Sequence, residues 1–260
     1  MSSGGQRFEL QRAIAGHELV LHYQPRLLVR SLELRGVEAL VRWRHPVRGI
    51  VSAAELVAAA EHGGLMHDLE AWVIREALLQ AAVWRRDGMP AGVSVNITPA
   101  LLRDEAFLKL FDRTLHIQGD PTTFTFEVSA ASLAGQEPPL AGLTHLRERG
   151  VRLALDDVTS PGELEAATWF RWDYVKLGQA LVGAASREAS TSATLHGLAA
   201  RTGALGARVI AVGVEDAAGL ALLRDAGAYL AQGYLFAPPL GLKELADWSA
   251  ARARTAQHDT

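Results

Sequence analysis

Six segments of this chain that otherwise read as buried strands carry polar residues, and those residues are where chemistry could reside. Glu38 lies in GVEAL, Asn96 in VSVNI, Glu127 after FTF, Asp156 and Asp157 at the end of VRLALDD, Lys176 in YVKL and Gln232 just before Gly233. Burying a charge without a partner is costly, so these groups should converge on one another, on a metal or on a ligand. Several carboxylates with an Asn suit Mg²⁺ or Mn²⁺, hard cations that prefer oxygen. Each residue also has a plainer reading. A single strand Glu or Asp is more often an edge or solvated position, and Lys176 would serve as an ion-pair partner for such a carboxylate. Asp156 and Asp157, adjacent on a strand, point to opposite faces, so one of them faces a given site unless the strand ends there.

The elements that must position these residues alternate in type. Strand-like runs occupy 19–29, 36–43, 93–97, 124–129, 151–157, 174–177, 208–214 and 228–236. Helical periodicity marks 54–62, 69–86, 100–115, 140–149, 190–202 and 217–226. In the strongest of these, Leu69, Trp72, Val73, Ala77, Leu79 and Val83 mark one face, and Gly88, Gly150, Gly206 and Gly227 follow helical segments as C-terminal caps do. Repeated strand–helix units of this length predict a parallel sheet covered by helices, as a closed (β/α)8 barrel or an open doubly wound sheet. The turn around Arg30–Glu33 is too short for a crossover helix, so the first strand should pair antiparallel with the second. In a barrel, residues at the C-terminal ends of the strands line one shared mouth.

Composition narrows the classes. The 260 residues are 49% hydrophobic and 21% charged, which excludes wholesale disorder. Twenty-six basic against 29 acidic side chains give a formal net charge of −3, without the basic excess of a general DNA or RNA binder. Cysteine is absent, which excludes disulfides, thiolate metal sites and a Cys nucleophile. The nine histidines show no metal-binding spacing, RWRH (42–45) is too short for nucleic-acid binding by itself, and no glycine pattern forms a phosphate loop. No spanning segment or signal-peptide core is visible, so the cytoplasm is the expected location. Residues 1–260 read as a single domain with a core from about 7 to about 250; residues 1–6 read as a linker and 251–260 as a fraying tail.

The order of motifs resembles the EAL domain family, the cyclic di-GMP phosphodiesterases and their inactive relatives. The matching stretches are LHYQP (21–25), GVEALVRWRHP (36–46), AELVAAAEHGGL (54–65), VSVNIT (93–98), FEVS (126–129), GVRLALDD (150–157), DYVKL (173–177), GVE (213–215) and AQGYLF (231–236). The resemblance implies an α/β (β/α)8 TIM-like barrel with its first strand antiparallel and a cyclic di-GMP site at the strand C-termini. In active members, Mg²⁺ or Mn²⁺ activates a water that opens one phosphodiester to give the linear dinucleotide, the metal lowering the water's pKa and stabilising phosphoryl charge. Carried onto this chain, it implies Glu38, Asn96, Glu127 and Asp156 as metal ligands, Asp157 as a second carboxylate near the metals and Lys176 as the lysine that helps hold the water or substrate, the last two catalytic only if hydrolysis survives. It further implies Gln24, Glu38, Leu40, Arg42, Asn96, Asp156, Lys176, Glu215 and Gln232 as ligand-binding positions, Arg42 on a ligand phosphate.

This sequence also departs from the family pattern. Where the family reads AEGVE it has AVGVE (211–215), so Val212 stands in place of a glutamate that serves the metals or the water. The Phe and Gly-Thr-Gly-Tyr-Ser loop after the Asp pair is replaced in DDVTSPGEL (156–164), where Pro161 cannot mimic a glycine backbone. Ala130 replaces the glutamate that steadies this loop, and Gly178 replaces an Asp. The expectation is a degenerate EAL domain that binds cyclic di-GMP as a signalling receptor, with hydrolysis lost or strongly impaired. The alternatives are an active phosphodiesterase, with Glu215 or a water substituting for the missing Glu, and a protein-interaction module that no longer binds the nucleotide. A homodimer, an attached signalling domain or another protein partner is compatible with each.

Overall fold

The structure, a computed structural model, describes residues 3–89, 92–118, 120–134 and 140–258. Helix α1 (Ser3–Ala15) leads into β1 (Leu19–Leu28), β2 (Leu34–His45) and a short β3 (Gly49–Val51). Next come α2 (Ala53–Gly63), α3 (Met66–Arg86), β4 (Gly92–Asn96), α4 (Glu105–Gln118) and β5 (Phe124–Ser129). They are followed by α5 (Ala130–Leu133), α6 (Ala141–Glu148), β6 (Arg152–Val158), α7 (Pro161–Ala166), β7 (Tyr174–Leu177), α8 (Gln179–Ala185) and α9 (Ala189–Ala204). The chain ends with β8 (Arg208–Val212), α10 (Ala217–Asp225), β9 (Leu230–Gln232) and α11 (Leu242–His258).

Strands follow one another in the order β1-β9-β8-β7-β6-β5-β4-β2, and a β1–β2 pairing closes the ring into an eight-stranded barrel, with β3 appended to β2. β1 runs antiparallel to both neighbours, while the other adjacent barrel strands pair parallel. This is the TIM-like barrel with a reversed first strand that the short turn predicted. Strand alternation then sorts the side chains. On β5, Phe124 and Phe126 pack outward on Phe111 of α4, the Phe126 and Phe111 rings 5.3 Å apart, so Thr125 and Glu127 face the barrel axis. Most of the apolar core lies in this outer layer. Among the described residues, a small apolar group, Ala154, Tyr174, Ile210 and Leu230, fills the barrel interior below the polar side chains of the mouth.

Several boundaries differ from the sequence expectations. Ser3–Ala15 is helical, so α1 begins inside the expected linker, and α11 carries the expected fraying tail as helix to His258. The helix expected from Ala100 starts at Glu105, because the Asp104 carboxylate accepts from Ala106 and Phe107 N–H at 2.7 and 3.1 Å and caps it there. In α3 the buried face is Leu69, Glu70, Val73, Ile74, Ala77, Leu78 and Trp84; Leu79 and Val83, expected on it, are exposed. The last two strands end early, since Gly213 and Val214 turn their N–H groups onto the Gln232 carbonyl at 2.9 and 3.0 Å. The four expected cap glycines all adopt positive φ after their helices.

Candidate functional site

Register and alternation bring the polar strand residues together at the C-terminal mouth. Gln24 of β1 lies opposite Glu38 of β2, Asn96 of β4 beside Glu127 of β5, and Val212 of β8 beside Gln232 of β9. The hub is Lys176 of β7, whose Nζ lies 3.2 Å from Glu38 Oε2 and 3.0 Å from Asp156 Oδ1, and in contact with Glu127 Oε2. Asn96 Nδ2 donates to Glu38 Oε1 at 3.3 Å, and Gln232 Nε2 donates to Glu38 Oε2 at 2.6 Å. Gln232 Nε2 also reaches Gln24 Oε1 at 3.4 Å, and Gln24 in turn donates to the Ala237 carbonyl at 3.4 Å. The expected convergence on one mouth is therefore met, and Lys176 is the ion-pair partner that its plainer reading required.

One partner was not visible as a site residue. Arg26 of β1, only 4% exposed, donates from Nη1 to Glu127 Oε1 at 3.1 Å and from Nη2 to the Val37 carbonyl at 3.3 Å. It lies two residues from Gln24 on the same strand face, and that spacing was the available signal. A second missed residue is Glu70 of α3, which accepts from Thr98 N and Thr98 Oγ1, both at 2.8 Å, and so braces the chain just beyond Asn96. Burial pushes the Glu70 carboxyl up to about 6.

Two cations and three carboxylates share this dry space, so one negative charge is in excess. Burial opposes ionisation of Glu38, but the Lys176 ammonium and the Gln232 amide outweigh it and hold the carboxyl at about 2. Glu127, with no solvent exposure, takes the opposite shift: burial and the charge of Glu38 push it up to about 7 against Lys176 and Arg26. Burial alone would lower Lys176, yet Asp156, Glu127 and Glu38 together raise it above the ordinary lysine value.

The adjacent Asp156 and Asp157 separate at an irregularity in β6, where its register with β7 shifts between Leu155 and Val158. Asp156 faces Lys176, whereas Asp157 adopts φ 57° and turns aside. A Cβ at Gly178 would lie 2.3 Å from Asp157 Oδ1 and 2.9 Å from Thr159 Cγ2. The Asp157 carboxylate thus occupies space that any side chain at 178 would need. Beyond it the 158–162 segment is a built helix start. Ser160 caps α7 in a capping box with Glu163, Pro161 sits in the first turn, and Glu163 Oε2 accepts from Thr159 N at 2.7 Å and Ser160 N at 3.0 Å. Ala130 is buried beneath.

The remaining expected residues lie at the rim. Arg42 is half-buried, with Nη1 donating to the Val41 carbonyl at 2.8 Å, and its i, i+2, i+4 spacing places it with Leu40 and Glu38 on one face of β2. Leu40, Asn96 and Glu127 line a cavity of about 300 Å³ that runs on between β2, α2 and α3. Glu215 is exposed beyond the turn at Gly213 and is not part of the carboxylate group.

The donor set fits one divalent cation: Glu38, Glu127 and Asp156 offer oxygens within 4.8 Å of one another. Among the described residues no other group of three acidic or histidine side chains lies close enough to share a second cation. Val212, on the inward face next to Gln232, brings no oxygen, and Asp157 is turned toward Gly178.

The EAL domain family model matches residues 7–239. Among curated sequences, the chain is 31% identical over 242 residues to the cyclic di-GMP phosphodiesterase PdeR of Escherichia coli, covering 92% of this chain and 36% of that protein. It is also 31% identical over 246 residues to an uncharacterized signaling protein of Caulobacter vibrioides, covering 94% and 30%. The chain spans about a third of the length of these relatives. Among solved structures, the PaMucR phosphodiesterase in complex with c-di-GMP superposes with a TM-score of 0.84 at 24% identity, covering 93% of this chain and 99% of that one, a likeness of fold.

Proposed function

This chain belongs to the EAL domain family, and from that premise we propose that it is a receptor domain for cyclic di-GMP whose hydrolysis is lost or strongly impaired. The observation that carries the reading is Val212 on the inward face beside Gln232, where it can neither ligate a cation nor take a proton. The displaced Asp157 and the self-capped 158–163 segment support it, because both remove carboxylate or loop geometry from the same side of the mouth.

The binding side is intact in chemistry. Arg42 offers a charged fork to a ligand phosphate at the rim. Gln24, Gln232 and Asn96 already fix the Glu38 carboxylate in place, so the ligand meets an ordered wall. When bound, Mg²⁺ or Mn²⁺ would be held by Glu38, Glu127 and Asp156 with Asn96, and would supply Lewis acidity and water activation. In its absence Lys176 and Arg26 supply the compensating positive charge, which allows dinucleotide binding without metal.

One observation favours a second reading, a slow phosphodiesterase: the three carboxylates remain close enough to share one ion. Calorimetric titration with cyclic di-GMP in EDTA, followed by Mn²⁺ and chromatography for the linear dinucleotide, separates the readings. The expected result is saturable binding in EDTA and no linear product. Product formation would make the chain an enzyme, and absence of binding would leave an interaction module.

A further inference from the structure

At the opposite end of the barrel, the starts of the strands enclose a pocket of about 220 Å³ whose charged lining residues are all arginines: Arg26, Arg35, Arg152 and Arg208. Thr125, Tyr174 and Tyr229 add hydroxyls. Among the described residues Arg35, Arg152 and Arg208 make no ion pair within 4 Å. Two of the three are nonetheless held in place, Arg152 Nη1 by the Tyr174 hydroxyl at 3.2 Å and Arg208 by the face of Tyr229 at 4.5 Å. Asp120 accepts from Thr122 N and Oγ1 at 2.9 and 2.6 Å, Glu127 is paired with Arg26 Nη1 at 3.1 Å, and neither carboxylate is in the lining.

The second, independent observation is Arg26. Arg26 is among the lining residues; its Nη1 and Nη2 are engaged by Glu127 and the Val37 carbonyl, and its buried Nε has no hydrogen-bond partner among the described residues. The chain makes room for it by close backbone packing. A Cβ on Gly36 would lie 2.8 Å from the Gly92 carbonyl and 3.1 Å from Arg26 Nη2.

We infer that this pocket binds a small phosphoryl dianion, either free phosphate or the phosphate of a compact monoester. Planar guanidinium donors around a concave, carboxylate-free lining match tetrahedral phosphate oxygens, and four arginines here contrast with the net charge of −3 for the whole chain. The site lies at the foot, shares Arg26 with the mouth, and stands whether or not the dinucleotide binds there.

The test is titration of the full chain with inorganic phosphate and, separately, with phenyl phosphate, at constant ionic strength against chloride, read by calorimetry and by thermal unfolding. Both Arg152 and Arg208 are exposed at the surface, so their variants should fold. Saturable binding at millimolar or lower concentration is expected, weakened roughly tenfold or more in Arg152→Ala/Arg208→Ala. Arg208→Lys keeps the charge and should also weaken binding, since lysine cannot form the fork. Tighter binding of phenyl phosphate than of phosphate assigns a monoester; the reverse assigns the free ion. No saturable binding of either probe, or equal binding by the double alanine variant, overturns the inference.

Discussion

At the mouth of this barrel, Glu38, Glu127 and Asp156 surround a single ammonium, whereas at the foot Arg35, Arg152 and Arg208 surround a pocket without a carboxylate in its lining. Arg26 belongs to both, with Nη1 on Glu127 and a place in the lining of the foot pocket. The mouth is compensated but for one carboxylate: its charges are buried or half-buried and fixed on one another. The foot has its cations at the surface, where water screens them. Charge at the mouth is therefore part of the folded core, and charge at the foot is available to a ligand. Substitutions at the two ends should have very different costs.

The largest effect is expected from Lys176→Met. Removing one member of a buried ionic group leaves the others uncompensated and costs about 3–5 kcal/mol. Urea unfolding of the metal-free chain should show that loss, and Mn²⁺ should restore part of it by replacing the missing charge. A loss below about 1 kcal/mol, the range of exposed pairs, would break the distinction between the two ends.

Glu70 sharpens the same contrast through pH. Its carboxyl stands at about 6 in the folded chain against 4.5 as its ordinary value, because burial disfavours the charge. A raised acid pKa means that the folded state holds the proton more tightly. The contribution is thus fully present below about 4.5 and is lost as pH rises through about 6, roughly 2 kcal/mol in all. Glu70→Gln can still accept from Thr98 N and donate to Thr98 Oγ1, and should flatten the stability profile between pH 4.5 and 6. An unchanged slope in that variant would remove Glu70 as its source.

Much of the mouth was legible in the sequence because strands impose their own geometry. Polar residues inside apolar runs had to meet, and a turn too short for a helix had to reverse β1. Arg26 was harder to see, since its partner Glu127 is 101 positions away and only the two-residue step from Gln24 linked it to the site. Glu70 was read as part of an ordinary helix, its burial set by tertiary contact with Thr98. The segment after Asp157 carried its own signal. Ser160, Pro161 and Glu163 spell a capping box with proline in the first turn, so what the family comparison reads as a loss is locally a gain of order. The β3 strand and the helical ends of the chain carried no strong pattern.

Val212→Glu tests the mouth more gently. A fourth carboxylate beside Gln232 adds repulsion where charge is already in excess, and should lower metal-free stability by about 1–2 kcal/mol. Mn²⁺ should then stabilise the variant more than the parent. Hydrolysis should stay far from full, because Asp157 remains turned toward Gly178. Full activity from this single change would show that the displaced aspartate and the capped segment do not matter.

The smallest effect is expected at the foot. Arg208 is exposed and, among the described residues, its side chain is held by the ring of Tyr229, so Arg208→Ala should change stability by no more than about 0.5–1 kcal/mol. Its charge is screened, and it supports no buried partner. If unfolding nevertheless revealed a loss as large as that of Lys176→Met, the foot would be a structural ionic group like the mouth, with its arginines compensated inside the protein. A near-zero loss in the same variant, together with weaker phosphate binding, is the combination that a ligand site requires, because residues poised for a ligand contribute little until it arrives.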